Sequence, residues 1–135
     1  MKLNIDYLKS FLALFLESEN PFVSTDELAK AGYDISDAVG YFHYTQLIEK
    51  GFVSTLDLRT GNPKELGLVF STNSITSWST NIRLTSSGYD FALSLSKPDV
   101  FERLKELSNE PIGVLKDVGV ELLKSYAKKK LGLSD

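Results

Sequence analysis

Histidine occurs once in this chain, at His43, and cysteine does not occur at all. A zinc or iron site needs three or four nitrogen, sulfur or carboxylate ligands gathered together, so His43 has no ligand set to join. Nucleophilic catalysis needs a serine held against a base that is itself oriented, and no serine here stands in such a setting. The pair Asp26-Glu27 directly follows Ser24-Thr25, a place where carboxylates answer the dipole of a helix start rather than act as paired acid and base. The glycines follow no phosphate-loop spacing. No catalytic constellation, metal site or cofactor is therefore expected, and the chain reads as a non-enzyme.

Residues with binding chemistry fall in two places. Between positions 36 and 50, Tyr41, Tyr44, Leu47 and Ile48 recur at helical spacing and take an inward face. That turns Ser36, Val39, Phe42, His43, Gln46 and Lys50 outward. Gln46 has the geometry to pair with adenine, and Ser36 or His43 can donate to base edges or phosphates. The second place is a turn-rich stretch. Arg59 and Lys64 flank Gly61-Asn62-Pro63, and Arg83 lies opposite Ile82, so three cations stand where they can grip phosphates. Other features pull away from nucleic acid. The helix holds no arginine, Asp37 at its start repels phosphate, and outward Val39 and Phe42 suit a protein contact. Cations on exposed hairpins also serve simply as solvated charges that keep strand edges from pairing.

The elements that must position these residues follow from caps and periods. Leu8, Phe11, Leu12 and Phe15 mark a helix over 5–17, ended by Ser18-Glu19-Asn20-Pro21. Ser24 and Glu27 form a capping box that opens a short helix through Ala31, closed by Gly32. Ser36 is read as the cap of a third helix that stops at Gly51. The period then changes to two. Runs at Phe52-Leu56-Leu58, Leu66-Leu68-Phe70 and Trp78-Ile82-Leu84, with turns at 60–63 and near Asn73-Ser74, predict a three-stranded antiparallel meander. Thr85 caps a fourth helix, in which Gly88 lets helix and sheet approach closely. Beyond Pro98, helices over 99–107 and after Pro111 follow, the last carrying the stripe Leu115, Val118, Leu122, Tyr126.

Helix, short helix, capped third helix, β hairpin, then a helix capped straight from the last strand is the order of a winged helix-turn-helix. The fold class expected is α+β: three helices and a small antiparallel wing sheet over 1–97, with a C-terminal helical extension over 98–135. Tyr44-Thr45-Gln46-Leu47-Ile48-Glu49-Lys50-Gly51-Phe52-Val53 and Leu84-Thr85-Ser86-Ser87-Gly88-Tyr89-Asp90-Phe91 resemble a pattern shared by many winged-helix proteins. Together with Phe42-His43-Tyr44 and Leu122-Leu123-Lys124 … Lys128-Lys129-Lys130-Leu131-Gly132-Leu133, they also resemble domain of unknown function twenty-five-thirteen, a family met in bacteria, phages and prophages. The resemblance covers about 36–58 and 82–133. It implies a fold and a mobile-element origin, and no activity.

Charge distribution keeps the partner open. Residues 1–51 carry four lysines against eight acids, 52–97 four bases against three acids, and 98–135 seven of each. No segment is strongly basic, which weighs against nucleic acid as the obvious ligand. Two readings stand: a DNA-binding regulator of phage or prophage type using Ser36, Val39, His43, Gln46, Lys50, Arg59, Lys64 and Arg83, or a protein-interaction module using Val39 and Phe42. The C-terminal stripe either packs on its own domain or joins two copies as a homodimer. The longest apolar stretch, near 11–16, is far too short to cross a bilayer, and the start lacks a secretory pattern. No membrane partner and a cytoplasmic location are expected.

Overall fold

The computed structural model describes residues 1–133. Helix α1 (Ile5–Glu17) starts where the Asn4 side chain accepts the Tyr7 amide, and it buries Ile5, Leu8, Phe11 and Leu12. A two-residue strand, β1 (Val23–Ser24), which the alternation did not reveal, leads into α2 (Thr25–Lys30). The capping box at Ser24 and Glu27 is formed as expected, and Gly32 takes a left-handed φ just past the helix.

Helix α3 (Ala38–Glu49) is capped one residue later than the sequence reading. Asp37 accepts the Gly40 amide at 2.7 Å, while the amide and hydroxyl of Ser36 both donate to Asp34 at 2.8 and 2.7 Å. Aspartate competes well with serine for a cap, and here the Asp34 turn already occupies Ser36. The helix buries Tyr44, Leu47 and Ile48, leaves Tyr41 half-buried, and ends at Gly51 with φ +69°.

The expected meander is replaced by a different topology. Strands β2 (Val53–Ser54) and β5 (Asn81–Leu84) pair antiparallel, and β5 also pairs with β1, giving the order β1-β5-β2. Strands β3 (Leu68–Phe70) and β4 (Ile75–Ser77) form a separate hairpin inserted between β2 and β5, with its turn near Asn73 and Ser74. The run through Leu56 and Leu58 fails as a strand because Thr55 turns the chain. Its amide donates to the Arg59 carbonyl (2.9 Å), its carbonyl accepts the Leu58 amide (3.1 Å), and its hydroxyl accepts the Arg59 amide (2.9 Å).

The hairpin is tied to the helices at its base by Thr25, a buried residue. Its hydroxyl donates to the Trp78 carbonyl at 2.7 Å and accepts the Thr80 amide at 3.1 Å, and its own amide donates to the Thr80 carbonyl at 2.9 Å. On the other side the Tyr44 phenol donates to the Leu66 carbonyl at 2.6 Å. Burial pushes that phenol's pKa up, so it stays a donor.

Helix α4 (Ser86–Ser96) is capped by Thr85 as expected. It is followed by α5 (Pro98–Lys105) and α6 (Ile112–Lys130). Helix α4 packs on α1, α5 and α6, and α5 packs on α6, so all three C-terminal helices share one core with the N-terminal elements.

Gly88 lets α4 lie directly against Phe52, at the entry to β2. A Cβ there would overlap the Phe52 carbonyl oxygen, a backbone atom with no rotamer to retreat into. In an open helix Gly→Ala stabilises by about 1 kcal/mol; overpacking against backbone costs about 1–3 kcal/mol. The clash wins at this site. Gly88→Ala is expected to lower the urea midpoint, and a midpoint at or above that of the parent chain would show that α4 does not sit this close to β2.

Candidate interaction surface

The outward face expected of α3 is partly spent. His43 is buried, with only 1% of its surface exposed. Its Nδ1 lies 2.8 Å from the Val39 carbonyl, and its Nε2 lies 2.9 Å from the Asn4 amide. The two partners assign the tautomer: Nδ1–H donates and Nε2 accepts. The ring also lies beside Tyr7, centroids 4.6 Å apart. His43 is therefore a structural residue that holds the start of α1 against α3, and it cannot reach a base edge. The sequence error was one of helical phase, since His43 adjoins Tyr44 and the inward face is wider than four positions.

The other α3 residues remain partly accessible. Val39 is exposed and Ser36 half-buried in its turn with Asp34. Phe42, Gln46 and Lys50 line a cleft of about 550 Å³ whose far wall is Leu3, Pro111 and Ile112. The chain's first residues and the α5–α6 connection thus flank the C-terminal half of α3.

The three cations Arg59, Lys64 and Arg83 lie outside the β3–β4 hairpin and do not act together. Arg59 is closed into ion pairs with Asp57 (3.1 Å) and Glu65 (2.6 Å). The Thr55 hydroxyl and then Arg59 hold the Asp57 carboxyl below its ordinary pKa. Lys64 is exposed. Arg83 is half-buried and lines a separate cleft with Phe15 and Tyr89. Arg59, Arg83 and Lys50 line three clefts that share no residue.

Apolar surface collects instead on the segment between β2 and β5. Leu56, Leu58, Val69, Phe70 and Trp78 are all exposed, Leu58 to 64% and Trp78 to 49%. Leu56 and Trp78 face one groove of about 340 Å³ floored by Thr55 and Thr80. The Trp78 indole N–H donates to the Lys64 carbonyl at 3.2 Å, which fixes the ring against the loop. The two-residue alternation predicts Leu56, Leu58, Phe70 and Trp78 on the strands of one meander. The signal it missed was Thr55-x-Asp57, whose side chains stop β2 after two residues.

The C-terminal stripe packs within the chain. Leu115 is buried, Val118 and Leu122 pack against the core, and the Lys97 ammonium lies over the Tyr126 ring at 5.9 Å. Among the described residues, no group of three His, Cys, Asp or Glu stands where it could hold a metal ion. No helix among them is long and apolar enough to cross a membrane. No protein-family model, characterised protein or solved structure matches this chain.

His43 makes stability depend on pH with a defined sign. Burial lowers its pKa below the ordinary 6.5, outweighing the raising effect of the Val39 carbonyl. The unfolded chain then takes up the proton first. Stability is full above about pH 6.5 and falls as the pH drops through and below that value. Nearby Tyr7 has its own pKa pushed up to about 12, mainly by burial, and stays neutral throughout. Urea midpoints from pH 7.5 to 5 are expected to fall for the parent chain and to lose that component in His43→Gln. Parallel pH profiles for the two would remove His43 as the cause.

Proposed function

We propose that this chain is a non-catalytic winged-helix module whose wing binds another protein. Support for the winged-helix reading comes from chain order and sheet order together: α1, β1, α2, α3 and β2 precede a hairpin, and β5 returns between β1 and β2. In a winged helix α3 is the recognition helix and the β3–β4 hairpin the wing.

The observation that carries the protein-partner reading is the contrast on the wing between exposed apolar side chains and neutralised charge. Five of the large apolar residues exposed among the described residues fall between Leu56 and Trp78. The same stretch holds Asp57, Arg59, Lys64 and Glu65, which sum to zero, with Arg59 paired twice. DNA binding draws on several free cations placed along phosphates. Exposed aromatic side chains such as Trp78 and Phe70, in a stretch without net charge, match the aromatic enrichment of protein interfaces instead. The interface thereby moves from Val39 and Phe42 on α3 to the wing.

Two measurements separate these ligands. Trp78 is the only tryptophan and sits on the wing, so its emission reports directly on contact there. Mixed-sequence duplex at low salt is expected to leave that emission unchanged; salt-sensitive binding with a dissociation constant of about 10⁻⁴ to 10⁻⁶ M would return DNA as the ligand. Proteins captured from lysate by the immobilised chain are expected to disappear with the double change Phe70→Ser and Trp78→Ser, and to persist with Val39→Ser. The opposite pattern places the interface on α3.

A further inference from the structure

Arg83, put forward by charge pattern as a phosphate contact, lines a cleft where α1 ends, β5 passes and α4 begins. The cleft holds about 430 Å³, within the range of about 300–1,000 Å³ usual for small-molecule sites. Phe15, Leu16 and Leu84 give it an apolar wall, and Ser86 and Asp90 stand on the α4 side. The Arg83 guanidinium has five donors and uses Nη1 in one long hydrogen bond, 3.5 Å to Ser54 Oγ. Neither Arg83 nor Asp90 belongs to an ion pair among the described residues, although both face this cleft.

Opposite charges that share a cleft without closing on each other remain available to a ligand carrying both signs. From this geometry we infer that the cleft binds a free α-amino acid with an apolar side chain. Its carboxylate pairs with the Arg83 guanidinium, its ammonium with Asp90, and its side chain lies along Phe15, Leu16 and Leu84. Simple anions meet repulsion from Asp90, and simple amines meet it from Arg83. A purely apolar molecule would cover a half-buried guanidinium and leave its donors without partners. The wing residues take no part, so this site stands or fails independently of the protein-partner reading.

Titration of the isotope-labelled full chain with L-phenylalanine, followed by amide and Arg83 Nε shifts, tests the inference. Saturable shifts are expected at Arg83, Ser86 and Asp90, with a dissociation constant near the millimolar range set by a ligand of this size. L-phenylalaninamide, which lacks the carboxylate, and N-acetyl-L-phenylalanine, which lacks the ammonium, are each expected to bind about fivefold more weakly or worse. Asp90 is exposed, so Asp90→Asn leaves the fold intact. It should weaken L-phenylalanine by a similar factor and leave the N-acetyl compound unweakened or tighter, because the change removes only repulsion for that anion. Absence of saturable shifts by about 10 mM overturns the site. So does equal affinity for all three compounds, which marks adsorption on the apolar wall, and so do shifts confined to another face.

Discussion

Three segments of the chain converge on the carbonyl groups of Gly51 and Phe52, and most of the architecture depends on that junction. The Thr85 hydroxyl donates to the Gly51 carbonyl at 2.6 Å, and the Thr85 amide donates to the Phe52 carbonyl at 3.0 Å. Gly88 then rests directly on that same Phe52 oxygen. The end of α3, the start of β2 and the first turn of α4 are thereby fixed to one another within a few ångströms. Thr85 does two jobs with one hydroxyl, since its oxygen also accepts the Gly88 amide at 3.1 Å as the helix cap. A side chain at 88 would push α4 off this junction, and Phe91 would lose its place against Phe52 (ring centroids 5.5 Å apart).

With α4 fixed to β2, strand β5 has one position left to it, between β2 and β1. The register follows: Val53 opposite Leu84 and Val23 opposite Ile82 put Val23, Val53 and Ile82 into the core. Everything between β2 and β5 must then leave the sheet and return. Thr25 and Tyr44 hold the two sides of that excursion, through Trp78, Thr80 and Leu66. Its base is therefore anchored in α2 and α3, while its tip carries only short strands and turns. An excursion held this way carries Leu56, Val69, Phe70 and Trp78 at a set orientation to the helices.

Much of this was legible in the sequence because the signals were local. The Ser24/Glu27 box, the glycines at 32 and 51, the Thr85 cap and the close approach at Gly88 each depend on a few neighbouring residues, and all appear in the structure. What the sequence concealed depends on contacts made at long range. Strand β1 is two residues long and exists only because β5 arrives beside it. Asp37 displaced Ser36 as a cap because Asp34 had already engaged the serine. His43, on the wide inward face of α3, accepts the Asn4 amide from 39 positions away, a partner that no periodicity points to. The cations Arg59, Lys64 and Arg83 looked like one set in sequence, but Asp57 and Glu65 claim the first while β5 carries the last to another cleft.

Leu58 breaks a local rule within the same excursion. Its φ is +70°, the one positive value at a non-glycine position among the described residues, and its side chain is 64% exposed. Leucine is the wrong residue on both counts. A left-handed backbone costs an ordinary side chain about 1–2 kcal/mol, and glycine or asparagine would relieve it. A leucine 64% exposed gains little burial in return. The Thr55 turn would close equally well with a polar residue there, because its bonds use the Leu58 and Arg59 backbone amides. Local stability therefore gives no reason for leucine at this point, and the same is true of Trp78, whose indole bond to Lys64 fixes the ring without burying it. Violations of local rules gather where function sets the residue. Leu58 and Trp78 share one character: each leaves about half or more of an apolar residue exposed with no local bond that requires that side chain to be apolar.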